Sequence, residues 1–199
     1  MKKVFEEISS INLNDNVEIQ LLKSGIIRED SEYTGFRLML EGKLDESKIP
    51  IKLDITTGDV ITPKEINYDF KLLLEDRNIN ILAYNLETVL AEKLEAILSR
   101  STENTRMRDF YDVHILYKMN SENLNIASLK EAIIKTFSER NSFKKFEKSN
   151  EIIQEISESE NLLVLWKNYV NSNRYVSETD WTDITSSVKT LLNSVSKGN

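Results

Sequence analysis

The hydrophobic period of this chain changes once, near residue 84, and that change limits the folds open to it. Upstream, apolar residues alternate with polar ones, the period of a half-buried strand. Residues 17–22, 36–44 and 49–57 are predicted strands, punctuated by Gly25, Gly35 and Gly58, with weaker candidates at 70–74 and 79–83. A short helix is predicted over residues 2–9. Both prolines and four of the five glycines also lie before residue 64.

Downstream, Leu86, Val89, Leu90, Leu94, Ile97 and Leu98 recur at helical spacing. Further helices are predicted over 105–118, 126–139, 152–170 and 181–195, with a polar loop or helix extension at 141–150. The expected class is α+β: an α/β part over residues 1–84, then a helical bundle over 85–199.

Composition narrows the function classes. With no cysteine among 199 residues, disulfides and thiolate metal sites are excluded. The start, Met1-Lys2-Lys3-Val4-Phe5-Glu6-Glu7, has no apolar segment of the signal-peptide kind, and no apolar run reaches the length of a bilayer span. A cytoplasmic location and no membrane partner are expected. A net charge of −7 argues against a generic nucleic-acid coat. Lys135, Arg140, Lys144, Lys145 and Lys148 form a local basic stretch, which a solvated helix face and loop would also explain.

Residues 49–56 alternate cleanly. Ile51, Leu53 and Ile55 fall on one face; Lys52, Asp54 and Thr56 fall on the other. The polar face is either solvent-exposed or the place of a catalytic carboxylate, Asp54.

The next signal is a lysine in the wrong place. Lys93 lies within the apolar stripe of its helix, between Leu86, Leu90 and Ile97. A buried ammonium costs several kcal/mol unless an acceptor meets it, so Lys93 must snorkel outward or meet an anion. Candidates follow directly. Asp109 and Asp112 share a helix face at i,i+3 and are preceded by Arg106 and Arg108. A two-helix hairpin would place these acids against Lys93. His114, the only histidine, reads as a packed or half-exposed helix residue.

These residues carry a resemblance. Glu87-Thr88-x-x-Ala91-Glu92-Lys93-Leu94-x-Ala96, followed by Arg106-x-x-Asp109-Phe110-Tyr111-Asp112, resembles the signature of the AbiEii/AbiGii toxin family. Ile51-Lys52-Leu53-Asp54-Ile55 resembles its central strand, and Thr136-Phe137 with Arg140 resembles a further element. The resemblance runs from about residue 2 to residue 140 and weakens beyond.

It implies a nucleotidyltransferase with a polymerase-β-like sheet, acting as a toxin of a type IV toxin–antitoxin or phage-defence system. The implied ligands are an NTP and Mg2+. The acceptor is tRNA in some relatives, and the implied protein partner is a cognate antitoxin. Asp54 would be the third metal-binding acid. Lys93, Asp109 and Asp112 would be catalytic, and Lys52, Arg106 and Arg140 would contact substrate.

The chain departs from the family pattern at one point. The glycine-rich element and the Asp-x-Asp motif expected ahead of Asp54 are absent; Asp15 and Asp30 stand apart. The expectation is an N-terminally truncated sheet with an exposed apolar face or unpaired edge, and little or no transfer by this chain alone. The competing expectation is a non-catalytic module of a split or degraded toxin.

Overall fold

The computed structural model describes residues 2–27, 35–176 and 179–196, so Asp30 lies outside the described residues. The described chain is α+β, with five strands in two antiparallel sheets and eight helices. It divides into two compact units, Met1–Asp59 and Val60–Asn199.

In the first unit, helix α1 (Lys2–Ser9) precedes strands β1 (Val17–Ile27), β2 (Gly35–Leu44) and β3 (Ser47–Ile55). They form a meander of order β1-β2-β3. The register pairs Leu38 with Leu53 and Leu40 with Ile51, so the apolar residues of both strands share a face. Leu38 and Leu40 are buried, whereas Ile49, Ile51 and Leu53 remain 37–56% exposed. The alternation read from the sequence therefore holds, but its apolar face is covered unevenly.

In the second unit, β4 (Ile66–Lys71) and β5 (Asn78–Ala83) form a hairpin. Its register places Tyr68 opposite Ile81 and Phe70 opposite Ile79. The strand expected at 70–74 is thus displaced: alternation begins at Ile66, and Leu73 and Leu74 stand at the hairpin tip, 97% and 98% exposed. An apolar pair mimicked a strand, although no cross-strand partner meets it.

The division falls at residue 59 rather than at the change of period near 84. Hydrogen bonds account for part of this. The Asn85 side chain donates to the Thr62 carbonyl (2.6 Å), and the Thr62 amide donates to the Thr88 hydroxyl (3.0 Å). Residues ahead of the hairpin are therefore tied to the first turn of the helix after it.

That helix is α2 (Leu86–Arg100). Asn85 caps it, accepting from the Thr88 amide at 2.8 Å. Thr88, Leu90, Ala91, Leu94, Glu95, Ala96, Ile97 and Leu98 are all buried, so α2 is enclosed around most of its circumference. It packs against α3 (Met107–Asn120), α4 (Ile126–Glu139), α5 (Phe143–Glu147) and α6 (Ser149–Glu158). Helices α7 (Glu160–Ser172) and α8 (Trp181–Ser196) complete the bundle. Its core includes Phe110, Phe137, Ile156, Leu162 and Trp166.

The helix expected over 152–170 is two helices. Ser159 ends α6 in an extended conformation and caps α7, its hydroxyl accepting from the Leu162 amide. Capping a new helix outweighed the continuity of the apolar period. The polar stretch 141–150 contains α5 and the start of α6.

Candidate active site

The hairpin of α2 and α3 brings the lysine and its acids together. Asn104 prepares the second helix: its side chain accepts from the Arg106 amide at 2.8 Å, and α3 begins at Met107. Asp109 then falls in the first turn, where the helix dipole favours a carboxylate. Asp112, one turn later, lies on the same face.

Lys93 Nζ lies 2.6 Å from Asp112 Oδ2 and 3.3 Å from Asp109 Oδ1. The Asp109 side chain is only 4% exposed; those of Lys93 and Asp112 are each 22% exposed. Arg106 places Nε 2.7 Å from Asp109 Oδ2, and Arg108 places Nε 3.8 Å from Asp112 Oδ2. The Arg106–Asp109 Oδ2 contact is close, but its N–H is poorly aligned, so this buried oxygen has an ionic neighbour without a directed hydrogen bond. Arg106 Nη2 donates to the other oxygen at 3.2 Å. Lys93 therefore neither snorkels freely nor sits unpaired: three cations surround two carboxylates.

Another polar cluster occupies a different side of α2. Arg140, at the C-cap of α4, donates from Nη1 to Glu95 Oε2 at 2.9 Å and lies 3.4 Å from Glu92. Glu95 also accepts from the Ser99 hydroxyl. Its side chain is 8% exposed. Arg140, expected to contact substrate, is thus engaged with two glutamates in this structure. Glu95 was missed by sequence reasoning. The available signal was Ala91 and Leu98 at i−4 and i+3, which place it on an apolar flank.

Asp54 and Lys52 belong to the other unit. Asp54 is on β3, on the face opposite Leu53. Its in-register neighbour Arg37 on β2 grips both oxygens, at 2.7 and 2.8 Å. The pair raises the Arg37 pKa above its ordinary value, first through the hydrogen bond and then through the Asp54 charge. Lys52 faces the same side, opposite Met39.

Donor chemistry tests the implied magnesium. A hard divalent cation needs several convergent oxygen ligands. Among the described residues no group of three or more Asp, Glu or His side chains is placed to hold a metal ion. Asp54 is occupied by a guanidinium, and Asp109 and Asp112 face cations. The described residues do not fit a magnesium site.

The fold and the cluster define an α+β protein whose charged centre lies between two helices of a bundle. The chain belongs to the AbiEii family of nucleotidyl transferase toxins of type IV toxin–antitoxin systems, whose sequence model matches residues 1–193. Comparison with curated proteins found no match. A solved structure from H. pylori, provisionally described as a nucleotidyltransferase, is 16% identical, with a TM-score of 0.48 over 99% of this chain and 73% of that one. Likeness at that level says nothing about activity. No helix among the described residues is long and apolar enough to cross a membrane.

Proposed function

We propose that this chain takes part in nucleotidyl transfer, from an NTP to an acceptor hydroxyl, with the Lys93–Asp109–Asp112 cluster as the phosphate-facing part of its site. One observation carries the reading: the two motifs that mark the family meet through Lys93, at 2.6 Å from Asp112 and 3.3 Å from Asp109. In such a transfer the acceptor oxygen forms a bond to the α-phosphorus, and the bond to the departing pyrophosphate breaks. The need is positive charge held ready for phosphate oxygens. Lys93 supplies one such charge. Its acids would not be orphaned when it turns to phosphate, because Arg106 stays on Asp109 and Arg108 is within reach of Asp112. Tethering keeps the ammonium oriented, and the flanking arginines make its release affordable.

The family supports a cognate antitoxin as partner. A role in phage defence and an RNA acceptor such as tRNA are further proposals that rest on the resemblance of the motifs alone. A second reading, a non-catalytic binding module, is favoured by the two-point grip of Arg37 on Asp54.

The test incubates purified protein with each labelled NTP, magnesium and total tRNA. Parallel reactions contain a glycine-rich segment bearing the Asp-x-Asp motif from a relative. Label should reach the RNA in the reactions that contain the added segment, and there Lys93→Met should abolish transfer while the fold is kept. Transfer undiminished in Lys93→Met would overturn the assignment. No transfer in either arm would favour the binding module, and loss of transfer in Asp54→Ala would count against it.

A further inference from the structure

Beside the charged cluster lies an aromatic group that the transfer reading does not use. Tyr175, in the short turn Arg174–Val176, is 61% exposed, although the next residue, Val176, is fully buried. The ring is held rather than loose. The Tyr111 hydroxyl donates to the Tyr175 carbonyl at 3.2 Å, and the Tyr169 and Tyr175 hydroxyls share a hydrogen bond of 2.9 Å. Tyr111 meets the Tyr175 ring edge-on, with centroids 5.4 Å apart. Tyr169 in turn leans on Trp166, which is 2% exposed. A solvent-facing ring is thus braced from the core by two further tyrosines.

The helix that braces it carries cations. Tyr111 is adjacent in sequence to Asp112, the acid that holds Lys93 at 2.6 Å. Arg106 and Arg108 flank the same helix turn, with side chains 51% and 78% exposed. Arg174, next to Tyr175, is exposed as well. Among the described residues, three cations stand against the two carboxylates of the cluster, in a chain whose net charge is −7. A braced aromatic ring resting on a helix that carries exposed arginines in its first turn suits a flat base attached to phosphate, since every base has a face to stack and every nucleotide an anion to pair.

We propose that Tyr175, braced by Tyr111 and Tyr169, is a stacking step for an unpaired nucleobase, whose phosphates run toward Arg106, Arg108 and Lys93. This deepens the transfer reading and rests on it for the class of ligand. The base belongs either to the NTP or to a single-stranded RNA end, and the chemistry of recognition is the same for both.

The experiment measures binding of ATP, of a fluorescein-labelled single-stranded RNA octamer and of its abasic counterpart. The proteins are wild type, Tyr175→Ala, Tyr175→Phe and Lys93→Met. Because the Tyr175 ring is mostly exposed, both tyrosine variants should keep the wild-type fold by circular dichroism. Tyr175→Ala should weaken ATP or octamer binding roughly ten-fold, the usual scale for loss of one base stack. Tyr175→Phe should stay within about two-fold, and the abasic RNA should not distinguish the variants. A loss confined to ATP assigns the base to the donor; a loss confined to the octamer assigns it to the acceptor. Unchanged binding of both probes by Tyr175→Ala would overturn the stacking step, even if Lys93→Met weakens binding and so sustains the transfer reading. An equal loss in Tyr175→Phe, or no binding of either probe by wild type, would overturn it too, the former pointing to the hydroxyl network and the latter to a protein partner.

Discussion

Lys93 reaches Asp112 across two helices at 2.6 Å, with Asp109 only slightly farther away at 3.3 Å. Removing its charge with Lys93→Met leaves both acids near an arginine. The expected loss of stability is therefore about 1–2 kcal/mol, below the larger cost of stranding a fully buried charge. Urea unfolding measures it. A loss well above that range would mean the lysine is chiefly a structural partner and not one held ready for phosphate.

Arg140 and Glu95 should behave differently. Glu95 is almost enclosed, and its guanidinium partner comes from another helix. Arg140→Ala should destabilise by about 2–4 kcal/mol, because it leaves a buried carboxylate short of a cation. Adding Glu95→Leu should recover part of that loss. Denaturant melts of the two single variants and the double give the coupling, and simple additivity would show that the contact contributes little.

The start of α2 supplies a third test. Asn85 caps the helix through Oδ1 and, through Nδ2, donates to the Thr62 carbonyl. Asn85→Ala removes a cap and leaves the buried Thr88 amide without its acceptor, while the Thr62 carbonyl keeps only the Thr88 hydroxyl at 3.2 Å, so about 1–3 kcal/mol should be lost. Thermal unfolding checks this; a change within error would mean that water replaces the amide.

His114 predicts a pH dependence. Burial lowers its pKa from the ordinary 6.5, and the Lys118 charge lowers it further; the carbonyl and charge of Asp183 oppose both. The ring is anchored by Nδ1, 2.8 Å from the Ser187 hydroxyl. That hydroxyl gives its own proton to the Asp183 carbonyl, so Nδ1–H is the donor to Ser187. Between the lowered folded value and 6.5 the unfolded chain binds more protons, and stability rises with pH. The contribution is fully present above the unfolded value and is lost as pH falls through the folded one. Urea midpoints across that window should show the slope, and His114→Gln should flatten it.

The sequence revealed unequal parts of this structure. Lys93 stood out because a cation inside an apolar stripe demands an explanation, and the acids sit within one short motif. Glu95 did not, because acids on helices are ordinarily solvated and its enclosure comes from α4, whose C-cap arginine is 45 residues away in sequence. The grip of Arg37 on Asp54 was equally hidden. Alternation fixes the face of Asp54, but only the register of β2 against β3 places a guanidinium opposite it. Ser159 was readable as a cap, yet the apolar period running across it favoured a single helix.

The enclosure of α2 bears on how this protein can vary. Successive residues of one turn answer to different neighbours: Glu92 and Glu95 to Arg140, Lys93 to α3, Leu94 to the core. Rotating or shifting the helix to suit one of them would mismatch the others. Mutational tolerance should therefore be lowest along α2, and a saturation library selected for folding should keep fewer alternatives there than on the solvated turns of α7.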